Sequence, residues 1–241
     1  MRRRVTPELM DEPDASRADL DASLRFIRGV NRRLGGVRAL TDVLDRLAPD
    51  WHAGEPIRVL DIATGSADIP VEAVRWARGR GLDVRVTAVD LHPVTLDLAR
   101  EYVETELEGD DRGRIELVEA DAFGLVEQFG AGSFDVVHAG MFLHHLPEVR
   151  VLTMLAIMDR LASRAMVWND LVRSRVARAG IHVLTLGQPA IVKHDARVSV
   201  EAGFTPGEAR ALAIKAGWEG VAVRSSFLQQ RLVVTGRGRD V

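Results

Sequence analysis

Cysteine is absent from the 241-residue chain. That excludes a disulfide framework, thiolate chemistry and any cysteine-based metal site. The absence fits a reducing compartment, and a cytoplasmic location is the expectation. An excess of basic charge is also missing: 32 Lys and Arg against 35 Asp and Glu leave a formal net charge of −3. A nucleic-acid binder is expected to carry a broad basic footprint, so nucleic acid is not an expected partner. No apolar run reaches membrane-spanning length. The opening stretch, basic over Arg2 to Arg4 and then acidic, lacks the apolar centre of a signal peptide. There is no internal repeat and no low-complexity linker. What is present is enough apolar material for a proper core, 46% hydrophobic residues. The length suits one α/β domain with a small appendage.

Residues 1 to about 16 are polar and punctuated by proline, and read as an arm that is loose unless it docks. Leu20, Leu24 and Ile27 then recur at helical spacing. Asn31 to Gly36 interrupts that helix, and a second runs from Val37 to Leu47. Residues 1–50 are therefore expected to form an arm and a helical cap, and residues 51–241 the main domain. From Pro56 strands and helices alternate, the sign of a parallel sheet covered on both faces. Strands are expected at Ile57–Ile62, Val84–Val89, Arg114–Glu119, Phe134–Val137, Ala165–Trp168, Val221–Arg224 and Leu232–Thr235. After the fifth strand the alternation breaks. Arg173–Leu186 reads as helix and the rest of residues 173–204 as a connecting insert; residues 236–241 are expected to be disordered.

The stretch from Arg58 to Pro70 carries the strongest local signal. A buried strand ends in Asp61, and Ala63, Thr64, Gly65, Ser66 and Ala67 form a tight small-residue loop. Asp68 is a plausible helix N-cap, with Pro70 tolerated in the first turn. Asp61, Asp90 and Asp121 close three successive strands. In a doubly wound sheet ligands bind outside the carboxyl ends of the strands, so these acids converge on one crevice. Asp90 is placed for a ribose, whose two hydroxyls a carboxylate can accept from. Asp121 is placed for an adenine amino group and the Ala122 amide for a ring nitrogen. Any one acid could be only a helix cap, and any one tight loop needs small residues anyway. A dinucleotide is the competing ligand, but its pyrophosphate wants G-x-G-x-x-G and no flanking acids. Here Asp61 and Asp68 bracket the loop, which favours a ligand with a sulfonium and an ammonium.

These segments resemble the motifs of class I S-adenosylmethionine-dependent methyltransferases. Val59 to Ile69 resembles their first motif, with the acid at Asp68 most similar to the ubiquinone/menaquinone-biosynthesis type. Thr87 to Leu91 is similar to the ribose motif, Glu119 to Ala122 to the adenine motif, and Phe134 to Leu146 to the fourth-strand motif. The resemblance covers Pro56 to Leu171; it departs from the usual G-x-G-x-G, reduced to Ala63, Gly65 and Ala67. It implies a Rossmann-like α/β fold with a seven-stranded sheet, order 3-2-1-4-5-7-6 and last strand antiparallel. It implies S-adenosylmethionine as cofactor and S-adenosylhomocysteine as product, held by Asp61, Ala63, Thr64, Gly65, Ser66, Asp68, Asp90, Leu91, Asp121, Ala122, Ala139 and Gly140.

On the acceptor side, methyl transfer requires alignment and, for a hydroxyl, removal of a proton. No metal is expected. His144 and His145 follow the fourth strand; one could face the donor while the other caps the next helix. His194, beside Asp195 in the insert, is a second general-base candidate. Asn31, Arg32 and Arg33, with Gly35 and Gly36, could form a lid that contacts the donor's carboxylate or the acceptor. Ile181, Val183, Leu184, Leu186, Ile191 and Val192 could line an apolar cavity for an aromatic or lipidic small molecule. A phenolic or quinol-like hydroxyl is the favoured acceptor. Carbon or nitrogen methylation, a non-catalytic adenosyl-binding module and a nicotinamide-dependent oxidoreductase remain as alternatives, and the oligomeric state is open.

Overall fold

The structure, a computed structural model, describes residues 2–12, 14–51 and 54–238. Seven strands, β1 (Ile57–Ile62), β2 (Val84–Asp90), β3 (Ile115–Glu119), β4 (Phe134–Gly140), β5 (Ala162–Leu171), β6 (Glu219–Ser226) and β7 (Arg231–Arg237), form one sheet. Their order is β3-β2-β1-β4-β5-β7-β6, parallel except for β7, which runs antiparallel to both neighbours. β1 is central and apolar on both faces, with Ile57, Val59, Leu60 and Ile62 fully buried, as a strand covered by helices on both sides requires.

Nine helices accompany the sheet among the described residues. α1 (Arg17–Arg33) and α2 (Gly36–Leu47) come first; α3 (Asp68–Arg78), α4 (Pro93–Glu106), the short α5 (Leu125–Phe129) and α6 (Glu148–Leu161) connect strands. α7 (Arg175–Leu184), α8 (Ala190–Ala202) and α9 (Pro206–Lys215) follow β5. One core layer packs Leu40 and Leu44 of α2, Val74 of α3 and Ala99 of α4 against Val59 and Val86. The opposite layer packs Met154 and Leu155 of α6 and Leu212 of α9 against Leu60, Val137 and Trp168. Trp168 and Phe204 meet edge to face at 4.8 Å, tying β5 to the residues that follow α8.

Several expectations need correction. β4 runs on to Gly140 and β5 spans ten residues, so both strands carry polar residues past the predicted ends at Val137 and Trp168. The supposed connecting insert at Gln188 to Gly203 holds a thirteen-residue helix, α8. Its β-branched Ile191, Val192, Val198 and Val200 argue weakly for helix, but Val192, Val198 and Val200 are buried, so packing decides. Gly236 and Arg237 end β7 rather than a disordered tail; residues 239–241 lie outside the described residues. The N-terminal arm docks. Arg3 donates to the carbonyls of Ala202 (2.7 Å) and Leu146 (2.8 Å) and its guanidinium stacks on Phe204 at 4.3 Å. The Leu9 and Met10 amides donate to Asp195 at 2.8 and 3.1 Å.

Candidate active site

A cavity of about 790 Å³ opens at the carboxyl ends of β1, β2, β4 and β5. The sheet register sets its floor: Asp61 lies beside His138, Gly140 beside Asn169, and Leu171 opposite Arg231. The sheet order reverses between β1 and β4, the place where ligands enter such folds.

One end is built by the loop after β1. Asp61 accepts from Thr64 Oγ1 at 2.7 Å and from His138 Nδ1 at 2.6 Å. Asp90 Oδ2 accepts from the Gly65 amide at 2.9 Å, and Oδ1 from the His92 amide at 3.1 Å. Burial pushes the Asp90 carboxyl above its usual range, against the pull of those amides. Asp68 is not the N-cap of α3 but its first residue, following Ala67 in the left-handed region. Its carboxylate accepts from Asn31 Nδ2 at 3.0 Å, while burial raises its pKa. Gly65 is left-handed at φ 56°, and a Cβ there would press on Leu24 of α1 at 3.3 Å. Ala63, at φ 55°, and Ala67, at φ 56°, hold the same strained conformation. Asp121 lines the cavity and also caps the turn at Ala122–Gly124, its Oδ1 accepting from the Phe123 amide at 2.9 Å.

Arg231 of β7 lies under this end. Its guanidinium is buried and donates to Asn169 Oδ1 at 2.9 Å and Asn31 Oδ1 at 3.2 Å. No carboxylate among the described residues is within ion-pair distance, and burial lowers its pKa to about 10 despite Asp170 and Asp68.

The other end is built by the arm, α8 and the loop after β4. His144 is buried between two acids, with Nδ1 at 2.7 Å from Asp170 and Nε2 at 3.3 Å from Glu8 of the arm. Burial would lower the His144 pKa, but Asp170 and Glu8 outweigh it and raise it to about 10. Burial likewise opposes ionisation of Glu8, yet His145, His144 and Ser199 hold it down at about 2. His145 Nδ1 pairs with Asp11 at 2.7 Å, and Glu8 and Asp11 raise its pKa against burial. Neither ring caps α6, whose N-cap is Pro147.

Of the residues expected at the site, Asp61, Ala63, Thr64, Gly65, Ser66, Asp68, Asp90, Leu91, Asp121, Ala122, Gly140, His144 and His145 line this cavity. Three do not. Ala139 is packed in the core, because Gly140 follows it and alternation turns it from the crevice. Arg32 points from α1 to the Tyr102 hydroxyl at 3.0 Å; the cavity contact on that turn comes from Asn31. His194 sits on the outer side of α8 and, although adjacent in sequence, pairs with Asp195 at 3.0 Å. Ile181, Leu184 and Val192 line the cavity, whereas Val183 and Leu186 are exposed and Ile191 lies outside the lining.

Sequence reasoning missed Glu8, His138, Asp170 and Arg231. The polar pair Asn169-Asp170 at the end of β5 was a usable signal for Asp170; a lone Glu8 in a polar arm was none. Four buried side-chain atoms lack a hydrogen-bond partner among the described residues: Ser23 Oγ, His92 Nδ1, His138 Nε2 and Arg231 Nε. All four residues line this one cavity. Buried polar groups are normally satisfied, so these four call for ordered water or a polar ligand in this cavity.

The sheet and crevice define a doubly wound α/β protein with a cavity at the strand ends, the place where ligands bind in such folds. Residues 59–164 match the methyltransferase domain family. Solved structures with the same fold include human N-acetylserotonin methyltransferase in complex with SAM (14% identity, 93% of this chain and 57% of that one, TM-score 0.62). Magnesium protoporphyrin IX methyltransferase from Synechocystis PCC 6803 (15%, 86% and 84%, 0.56) and an O-methyltransferase family protein from Burkholderia thailandensis (20%, 84% and 57%, 0.57) share it too. The chain spans about half the length of several structures it matches, and no curated protein matches its sequence significantly. The chain thus matches the methyltransferase domain family over residues 59–164, on the fold that these solved structures share.

Proposed function

We propose that the chain transfers a methyl group from S-adenosylmethionine to an oxygen of a small aromatic or lipidic acceptor. The observation that supports this most is one cavity with two unlike ends: the acids and orphaned donors around the β1 loop, and the apolar and histidine-rich end under the arm. When bound, the donor supplies an electrophilic methyl on sulfur. Asp90, already anchored by two amides, keeps lone pairs for the ribose hydroxyls. In neutral His138 the proton sits on Nδ1, because Asp61 can only accept; Nε2 then accepts from the ligand's ammonium. Arg231 Nε, without a partner, suits the ligand's carboxylate.

Phe26, Ile27, Phe142, Ile181, Leu184 and Leu228 give the rest of the cavity an apolar wall that shields the reacting pair from water. His144 does not serve as a general base near neutral pH, since it is held protonated with both ring nitrogens engaged. Calorimetry with S-adenosylhomocysteine tests the donor half: binding with one site per chain is expected, and no heat at millimolar ligand sinks the reading. A panel of phenols, quinols, amines and activated carbon acceptors then separates oxygen from nitrogen or carbon transfer.

A further inference from the structure

We infer that Glu8, His144 and His145 form a binding site for one divalent transition-metal ion, zinc by ligand type, at the arm end of the cavity. Each offers one ligand atom, and the three atoms lie within 4.8 Å of one another. Glu8 Oε1 is 3.3 Å from His144 Nε2 and 3.8 Å from His145 Nε2. Ligand bonds of about 2.0–2.2 Å in a tetrahedral site place neighbouring ligand atoms about 3.3–3.6 Å apart, so Glu8 already lies near ligand spacing from both imidazoles.

Each imidazole is also anchored at its other nitrogen by a carboxylate, His144 by Asp170 and His145 by Asp11, both at 2.7 Å. That carboxylate–imidazole–ligand order fixes the ring and its tautomer in metal sites and makes the free nitrogen a better ligand. The two rings lie nearly side by side, centroids 4.3 Å apart and planes 34° apart. The carboxylate comes from the docked arm, where Ser199 donates to Glu8 and Asp195 holds the next two amides. An arm latch alone would need one ion pair; it would not need a second histidine aimed at the same oxygen with an acid of its own behind it.

Two histidines and one carboxylate are the ligand set of catalytic zinc sites, which keep a position open. All three residues line the cavity, so the open position faces it. An ion there would displace the proton shared by His144 and Glu8, as at any histidine ligand. Its use is the part that rests on the proposed methyl transfer: the ion would hold an acceptor hydroxyl and lower its pKa. The acceptor's proton would then pass to solvent water, with no general base needed at His144 or His194.

The test uses the full chain stripped with chelator. Zn2+ is titrated by calorimetry and Co2+ by its visible absorption. One ion per chain at micromolar affinity or tighter is expected. Glu8→Gln and His145→Ala should each weaken Zn2+ at least tenfold and bleach the Co2+ band, while His194→Ala binds like the parent. Circular dichroism checks the fold; if Glu8→Gln unfolds, His145→Ala at its partly exposed ring carries the test. No stoichiometric binding, unchanged affinity in a folded Glu8→Gln or His145→Ala, or an equal loss in His194→Ala overturns the site. S-adenosylhomocysteine binding is measured on the same stripped chain. Zn2+ bound with no adenosyl ligand rejects the functional reading and leaves the metal site standing; the reverse result rejects the metal site alone.

Discussion

The two ends of the cavity are made in different ways. At the β1 loop most partners are near in sequence, Thr64 meeting Asp61 and the Gly65 amide meeting Asp90, and Arg231 reaches in from far along the chain, to Asn31 and Asn169. At the arm end the partners are separated by much of the chain: Glu8 meets His144 and Ser199, and Asp195 meets the Leu9 amide. A loop fixed by local backbone geometry can lose a side chain and keep its shape. A cluster assembled from distant segments holds those segments together, so losing one member should cost stability before it costs chemistry.

The largest effect should therefore come from His144→Ala. It leaves Asp170 ionised and buried without its cation, about 3–5 kcal/mol of stability. Urea denaturation measures it, and a loss near zero would mean the two ends are not built differently. On the other side, Asp90→Ala should weaken S-adenosylhomocysteine by about 1–3 kcal/mol, roughly five- to 150-fold, with little change in stability. Arg3→Ala removes charged bonds to the Ala202 and Leu146 carbonyls and should cost about 1.5–3 kcal/mol. Hydrogen exchange should show the loss confined to the arm and α8.

Acidity distinguishes the ends more gently. In the proposed donor complex the ribose hydroxyls would donate to ionised Asp90, whose pKa burial raises. Donor affinity should thus fall as pH drops through that raised pKa, above the ordinary carboxylate range, and Asp90→Asn should flatten the profile in calorimetry. The smallest effect belongs to His194→Ala, which should change stability and turnover by no more than about 0.5 kcal/mol, because the ring is partly exposed and not among the residues lining the cavity.

The same division explains what could be read from the sequence. The strands, the loop from Ala63 to Ala67 and the acids Asp61, Asp90 and Asp121 were legible because their signals are local: apolar runs, small residues and an acid at each strand end; the strand order came only from the resemblance to the methyltransferases. Tertiary packing hid the rest. α8 is rich in β-branched residues and becomes helical with Val192, Val198 and Val200 buried. Arg231 is an ordinary strand residue until the antiparallel register carries it under Asn31 and Asn169. Glu8 has no local signal at all.

The left-handed alanines of the β1 loop bear on how the donor is received. Glycine would adopt those angles freely and leave the loop many shapes; alanine narrows the choice in both folded and unfolded chain. The conformation at Ala63 and Ala67 costs each roughly 1–2 kcal/mol within the fold. In return the loop is already ordered when a ligand arrives. Association should then carry a small entropic penalty from this segment, and a tight adenosyl complex need not wait for the backbone to rearrange.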